Sequence, residues 1–192
     1  AALAAPTDEE TLLERLRGSL AAWARPPEGD LRAYEDAALF FLYHCHFDDF
    51  HDLAERVPGA SPAEVFAEFK QGFDRFLRFP GLAFPEKPDA AHLFACFFQI
   101  YRAFHHIFGF IIGSSLVAAR LRGAVWQSIF THDMLRYRRG LFARMADFPT
   151  LVAGPTGTGK ELIARAIGLS RYVPFDPARG AFAADFEETF HA

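Results

Sequence analysis

The sequence predicts a mainly α protein, with an N-terminal helical bundle followed by the beginning of a P-loop α/β domain. Two observations predict the bundle: apolar residues recur at helical spacing through the first 110 residues, and short breaks containing Pro and Gly separate these segments. A third observation predicts the α/β domain. A β-prone apolar run at 150–153, a glycine-rich loop and a helix-prone segment follow one another directly.

Local start signals predict the first two helices. Thr7 and Glu10 have the spacing of a capping box, in which the Thr side chain accepts from the first free amides and Glu10 reaches back. This predicts a helix to about Trp23. Asp30 is expected to cap a second helix, which the apolar pattern carries on to Leu53.

The third helix has the clearest start signal, with Ser61 as cap, Pro62 at the first helical position and Glu64 at the third. Aromatic residues then recur at three- and four-residue spacing, which predicts a stripe facing the core. The residues of this stripe are Phe66, Phe69, Phe73 and Phe76.

A linker at 79–88 precedes a fourth helix, which Asp89 is expected to cap and which runs to about Phe110. The window 93–112 is long and apolar enough to consider a membrane span. Four polar residues inside it would be costly in hydrocarbon: Gln99, Arg102, His105 and His106. We therefore expect a buried helix and no membrane contact.

Composition narrows the class of protein further. Of the 192 residues, 51% are hydrophobic and 23 are Phe, which is ample for an aromatic core. The net charge of −4 gives no general attraction to nucleic acid. The two cysteines, Cys45 and Cys96, lack C-x-x-C spacing, which favours a reducing, cytoplasmic location.

The glycine-rich loop predicts a phosphate-binding site. Its glycines allow backbone N–H groups to turn toward an anion, Lys160 adds a positive charge, and the following helix directs its positive end at the same place. The predicted cofactors are ATP and Mg²⁺. The predicted binding residues are Gly154, Pro155, Thr156, Gly157, Thr158, Gly159, Lys160 and Glu161.

Glu161 occupies the position where the common P-loop pattern has a hydroxyl residue. The run Gly-Pro-Thr-Gly-Thr-Gly-Lys-Glu-Leu-Ile-Ala-Arg-Ala-Ile at 154–167 resembles the Gly-Glu-Ser-Gly-Thr-Gly-Lys-Glu-Leu-Val-Ala-Arg-Ala-Ile signature of the AAA+ activators of sigma-54 RNA polymerase. The run Ile-Ile-Gly-Ser-Ser at 111–115 looks like the start of the same module. In that family Glu follows the Lys, so Glu161 fits the resemblance.

The resemblance implies two domains, a helical regulatory or sensor domain at 1–110 and a truncated N-terminal part of an AAA+ ATPase domain at 111–192. It implies the sigma-54 RNA polymerase holoenzyme as partner of the full-length protein, self-association through the AAA+ module, and DNA contact only through a missing C-terminal domain. The full-length protein is then expected to be an ATPase. The Walker-B acid and the arginine finger that hydrolysis requires cannot be assigned in these residues, and no catalytic residue is predicted.

Between the two resembling runs, Ser115 is expected to start a helix to about Phe130 and Thr131 to cap another. This connection is longer than the resemblance implies. It carries a basic run, which is interpreted as a solvated face or, alternatively, as a subunit contact or phosphate-facing patch: Arg136, Arg138, Arg139 and Arg144. After the loop helix, a second strand is predicted at 172–175, followed by an inserted loop or short hairpin.

A second candidate site is the histidine-rich stretch at 44–52. On one continuous helix, His44, Asp48 and His51 fall within about 60° and could share a metal ion, with His105 or His106 as a further ligand. The stretch lacks the Glu-x-x-His and H-E-x-x-H patterns of helical metal sites. A hydrogen-bonded histidine edge is therefore the preferred interpretation, and no metal site is assigned.

Two other functions remain open at this point. The helical part could be a protein-interaction module whose P-loop is a non-hydrolysing nucleotide switch. The loop could also belong to another P-loop AAA+ machine or to a P-loop kinase.

Overall fold

The computed structural model describes residues 7–23, 26–78, 84 and 89–187. The chain is mainly helical, as predicted, and divides into two compact units, Ala1–Ala90 and Ala91–Ala192. The long fourth predicted helix therefore belongs almost wholly to the second unit, although the domain boundary predicted from sequence lies after residue 110. The linker predicted at 79–88 falls, except for Phe84, outside the described residues.

The first unit consists of α1 (Asp8–Ala21), α2 (Glu28–Cys45), α3 (Phe47–Ala54) and α4 (Pro62–Leu77). The predicted cap of α1 is confirmed, since Thr7 Oγ1 accepts from the Glu10 amide at 3.2 Å. The carboxylate of Glu10 pairs with Arg75 of α4, where it ties two helices together. Ser61 caps α4 as predicted, accepting from the Glu64 amide.

The prediction of the second helix was wrong about both its start and its end. The helix begins at Glu28, after Pro27, so Asp30 lies inside its first turn and does not cap it. It also ends at Cys45, because His46 leaves the helical conformation with φ −108° and ψ 15° and a separate helix, α3, begins at Phe47. His46 is buried and bonds Asp49 Oδ2 at 2.8 Å, a local contact that the apolar pattern does not reveal.

The aromatic stripe of α4 lies in the core of the first unit. Phe69 and Phe73 are fully buried and Phe76 is 2% exposed, whereas Phe66 is half-buried. Tyr34 of α2 donates from its hydroxyl to the Phe76 carbonyl at 3.0 Å. The periodicity of the stripe therefore identified its buried face correctly, with the first Phe at the edge.

Helices α2 and α4 approach closely at Gly72. A Cβ at this position would lie 2.8 Å from Leu42 Cδ2, and Leu42 is buried. We expect Gly72→Val to lower the free energy of unfolding by about 1–3 kcal/mol, because the buried Leu42 has little room to move. Urea unfolding measures the change. Gly18→Val in α1 is the matched control, since nothing lies within 4 Å of a Cβ there; equal losses in the two variants would contradict a close helix approach.

The second unit is built on α5 (Ala90–Phe110), α6 (Leu116–Phe130), a short α7 (Met134–Arg136) and α8 (Lys160–Leu169). A π-helical turn, Tyr137–Leu141, and a 3₁₀ turn, Met145–Asp147, lie between α7 and α8. Helix α5 begins directly after Asp89 and ends at Phe110, as predicted. The core of this unit includes Ala103, Ile107, Ile111, Val125, Ile129, Phe130, Tyr137 and Ala166.

Helix α6 agrees with the prediction, since Ser115 accepts from the Ala118 amide at 3.1 Å. The next predicted helix forms only in part, as short helical turns, and its predicted cap was wrong. Thr131 ends α6 with a left-handed φ of 68°, and Asp133 caps α7, which continues into the π-helical turn. In the basic run, Arg136, Arg139 and Arg144 are exposed.

The strands are short. Of the described residues, only Phe175–Asp176 (β1) and Ala181–Phe182 (β2) form a sheet, as an antiparallel hairpin pairing Phe175 with Phe182. The hairpin was predicted as one of two alternatives, but the second strand expected at 172–175 is formed only at its last residue. The strand predicted at 150–153 is not formed. Leu151 is 91% exposed. A strand needs a neighbouring strand for its backbone hydrogen bonds, and among the described residues the only sheet is the β1–β2 hairpin.

Candidate functional site

The predicted phosphate loop lies between an irregular segment and α8. Gly157 and Gly159 have φ of 78° and 77°, a left-handed conformation that Cβ-bearing residues rarely adopt. Gly159 is the N-cap of α8, and its carbonyl accepts from the Leu162 amide at 3.0 Å. The glycines thus turn the chain sharply into the helix, although the preceding strand of the predicted α/β arrangement is absent.

The side chain of Lys160 folds back onto the loop and bonds its backbone. Its Nζ donates to the carbonyls of Gly154 at 3.0 Å and Pro155 at 2.6 Å. Thr158 Oγ1 donates to the same Pro155 carbonyl at 2.8 Å. The loop is therefore closed by its own hydrogen bonds and carries a positive charge at the amino end of α8.

Gly154 lies close to other side chains of the loop. A Cβ at this position would approach Thr158 Oγ1 to 3.2 Å and Lys160 Cδ to 4.0 Å. The residues at 154–158 are exposed, and Glu161 is exposed in the first turn of α8. The eight predicted residues are consecutive and form one turn, most of which is exposed to solvent.

A cavity of about 910 Å³ in the second unit is separate from this loop. It is lined by Ala164, Ile167 and Gly168 of α8 and by Val152, which precedes the loop. None of the residues at 154–161 lines it. The cavity therefore lies along the body of α8, away from the exposed loop at its amino end.

Polar residues of α5 hold the opposite, carboxyl end of α8. Arg102 Nη1 donates to the Leu169 carbonyl at 2.6 Å and Nη2 to the Arg171 carbonyl at 2.5 Å. Gln99 Nε2 donates to the Ser170 carbonyl between them at 2.9 Å. The free carbonyls at the end of a helix carry partial negative charge, so the guanidinium is placed where the helix dipole favours a cation.

This contact is deeply buried. Arg102 is 3% exposed and Gln99 1%, and the Arg102 guanidinium lies 3.9 Å from the centre of the Phe186 ring. Burial lowers the pKa of Arg102 to about 9, which still leaves it charged at neutral pH. The sequence indicated only that these polar residues interrupt an apolar window. Their three-residue spacing on one face was the available signal for a shared role.

Two further polar contacts join α5 to neighbouring segments: Tyr137 lies in the π-helical turn, and His92 lies on α5 itself. Tyr137 donates its hydroxyl to Gln99 Oε1 at 2.8 Å, and burial raises its pKa above the ordinary value. The ring nitrogens of His92 contact the Tyr172 hydroxyl at 2.7 Å and the Arg138 carbonyl at 2.8 Å. Burial also raises the pKa of the neighbouring Cys96 thiol to about 12, so Cys96 is a protonated core residue and not a nucleophile.

The histidine-rich stretch does not assemble a metal site. The helix break at His46 separates His44 from Asp48 and His51, and His44 Nδ1 lies 2.9 Å from the Phe40 carbonyl. In the described part of the chain, no group of three or more His, Cys, Asp or Glu residues has a geometry that could hold a metal ion. The helical alignment assumed for the metal alternative was therefore wrong.

The lowered pKa of His106 on α5 predicts that the stability of the second unit depends on pH. Burial, then the charges of His105, Arg102 and Arg165, lower its pKa to about 4 from an unfolded value of 6.5. Between these values the unfolded chain binds more protons, so the free energy of unfolding should fall as the pH drops through this range. We expect His106 to account for about 1–2 kcal/mol, since His106 is only partly buried and solvent screens the charges.

The measurement is urea unfolding of the wild type and His106→Gln between pH 4 and 7. The stability difference between the two proteins should change with pH, because the glutamine does not titrate. A difference that stays constant across this range would show that His106 is not responsible.

Comparisons with known proteins found no matching family, no similar curated protein and no similar solved structure. The described residues contain no helix that is both long and apolar enough to span a bilayer. The sigma-54 resemblance stays a prediction from residues 111–115 and 154–167.

Proposed function

We propose that residues 154–161 bind the phosphates of ATP with Mg²⁺, and that the chain is the ATP-binding N-terminal portion of a sigma-54-interacting transcriptional activator. The observation that carries the proposal is the exposed turn in which Lys160 donates to the carbonyls of Gly154 and Pro155, directly after two glycines in the left-handed conformation, Gly157 and Gly159. A cation and the amino end of a helix lie together there, and both favour a bound anion.

Roles follow from the positions of the side chains. Lys160 would leave its loop carbonyls to contact the β- and γ-phosphates, while the turn at Gly157 and Gly159 allows the backbone to approach them closely. Glu161 would assist Mg²⁺, directly or through water. In the full-length protein, the helical first unit would regulate assembly of the AAA+ ring and ATP-driven open-complex formation in the cytoplasm.

The experiment is a calorimetric titration of the protein with Mg·ATP, with adenosine as the matched ligand that lacks phosphates. We expect saturable binding of one Mg·ATP and none of adenosine, because phosphates carry the interaction. Equal affinity for the two ligands, or no Mg·ATP binding, would contradict the phosphate-site proposal.

The sigma-54 part of the proposal has a separate test in the full-length reading frame. It should encode a Gly-Ala-Phe-Thr-Gly-Ala-like loop and an apolar run ending in Asp-Glu beyond the loop helix. Their absence would leave a nucleotide-binding protein of a different kind, such as another P-loop machine.

A second candidate is an interaction module in which the helical unit is the functional part and the P-loop is a non-hydrolysing switch. Aromatic residues exposed on that unit favour it, because exposed aromatics are common in protein contacts: Trp23 is 54% exposed and Phe40 67%. ATP turnover by the full-length protein would contradict this second candidate.

A further inference from the structure

We propose that Arg102 is a positioning residue for the phosphate loop: by holding the carboxyl end of α8, it fixes the amino end that carries Gly159 and Lys160. The inference rests on the proposed function, because its main readout is Mg·ATP binding. It makes α5 the element that supports the loop through α8.

The first step is that α5 bonds every carbonyl in a run of three at the carboxyl end of α8. Arg102 and Gln99 together take three consecutive carbonyls, those of Leu169, Ser170 and Arg171, although these lie about 70 positions further along the chain. Ser170 also donates its hydroxyl to the Ala166 carbonyl at 2.6 Å. The end of α8 is thereby fixed by bonds of defined direction, which apolar packing alone does not provide.

The second step is that the Arg102 guanidinium has few other partners for hydrogen bonds or ion pairs. In the described part of the chain, no carboxylate pairs with Arg102, and its Nε has no hydrogen-bond partner. Aromatic rings cover it, with the guanidinium carbon 3.9 Å from the Phe186 ring centre and 5.5 Å from that of Phe98. Because the buried guanidinium donates to the carbonyls at the carboxyl end of α8, it holds α5 against that end.

The third step links the two ends of α8. The helix has only ten residues, Lys160–Leu169, and is about 15 Å long, so it moves as one rigid body. A tilt or slide at the carboxyl end therefore displaces the Lys160 backbone and the turn at Gly159. Phosphate binding by several converging groups is sensitive to such a displacement.

The test compares Arg102→Met with Arg122→Met, a matched control in the same unit. Arg122 Nη1 also donates to two carbonyls, of Ile111 and Gly113, both at 2.9 Å, and its guanidinium lies 5.0 Å from the Phe108 ring centre. These carbonyls follow the body of α5 and do not belong to α8. Both variants should unfold at lower temperature than the wild type.

For Mg·ATP binding, we expect the dissociation constant of Arg102→Met to rise at least about fivefold and that of Arg122→Met to stay at the wild-type value. Arg102→Lys should restore part of the affinity, since an ammonium can still donate to these carbonyls. Wild-type affinity in Arg102→Met, or equal losses in both methionine variants, would overturn the proposal.

Two measurements separate this inference from its premise. If the wild type does not bind Mg·ATP, the proposed function fails, but hydrogen exchange still tests the positioning. Amides throughout α8 should exchange faster in Arg102→Met than in Arg122→Met, and equal rates would overturn it. If Arg102→Met does not fold, Gln99→Met removes one of the three bonds and should give a smaller change of the same kind; unchanged affinity and exchange would count against the proposal.

Discussion

Lys160→Ala is expected to weaken Mg·ATP binding by about 10- to 100-fold, which corresponds to the loss of charge-assisted hydrogen bonds to phosphate. The lysine has two roles in the loop. Its ammonium donates to the carbonyls of Gly154 and Pro155, and in the proposed function it is the cation that contacts the β- and γ-phosphates. Alanine removes both.

Lys160→Ala removes the methylene chain of the side chain as well as its charge. Lys160→Met separates these two effects, because methionine keeps a long apolar side chain without the charge. We expect it to bind Mg·ATP as weakly as the alanine variant. Lys70→Ala is the control for a change in net charge, since Lys70 is exposed on α4 and pairs with Asp74 in the same helix. Calorimetry that gave the same dissociation constant for Lys160→Ala and the wild type would eliminate the loop as the ATP site.

Those elements that depend on neighbours in sequence were predictable. Thr7, Ser61 and Ser115 cap the helices assigned to them because a cap needs only a side-chain oxygen and an amide three residues away. The Phe stripe of α4 was predictable for a similar reason, since helical geometry alone decides which residues share a face.

Elements that depend on distant partners were not predictable in the same way. His46, at which the second predicted helix breaks, is buried against Phe69 of α4, and their ring centres lie 5.5 Å apart. The apolar run at 150–153 has the composition of a strand, but composition does not supply the neighbouring strand that its backbone needs. Tertiary context decided both segments.

The candidate site also has a part that was predictable from neighbours in sequence and a part that was not. The glycine spacing and Lys160 identified the turn at the amino end of α8, because the residues are consecutive in sequence. The support at its carboxyl end comes from Gln99 and Arg102, about 70 positions earlier. Sequence pattern alone placed these two residues in an apolar helix and gave no partner for them.

Phe73→Ala is expected to lower the free energy of unfolding of the first unit by about 3–5 kcal/mol. Phe73 is fully buried, lies between Phe69 and Phe76 on the inner face of α4, and its ring centre is 6.4 Å from that of Phe69. The cost combines the lost transfer of a phenyl ring from water with the cavity left in a unit whose core is largely aromatic.

Phe40→Ala in α2 is the matched control, because it makes the same chemical change at a side chain that is 67% exposed. Phe40 packs on His44, with ring centres 4.0 Å apart, so we expect a loss below about 1 kcal/mol. Urea unfolding followed by far-UV circular dichroism measures both variants. Similar losses for Phe40 and Phe73 would mean that the stripe on α4 does not form the core; a large loss for Phe73 alone identifies α4 as the helix on which the first unit is packed.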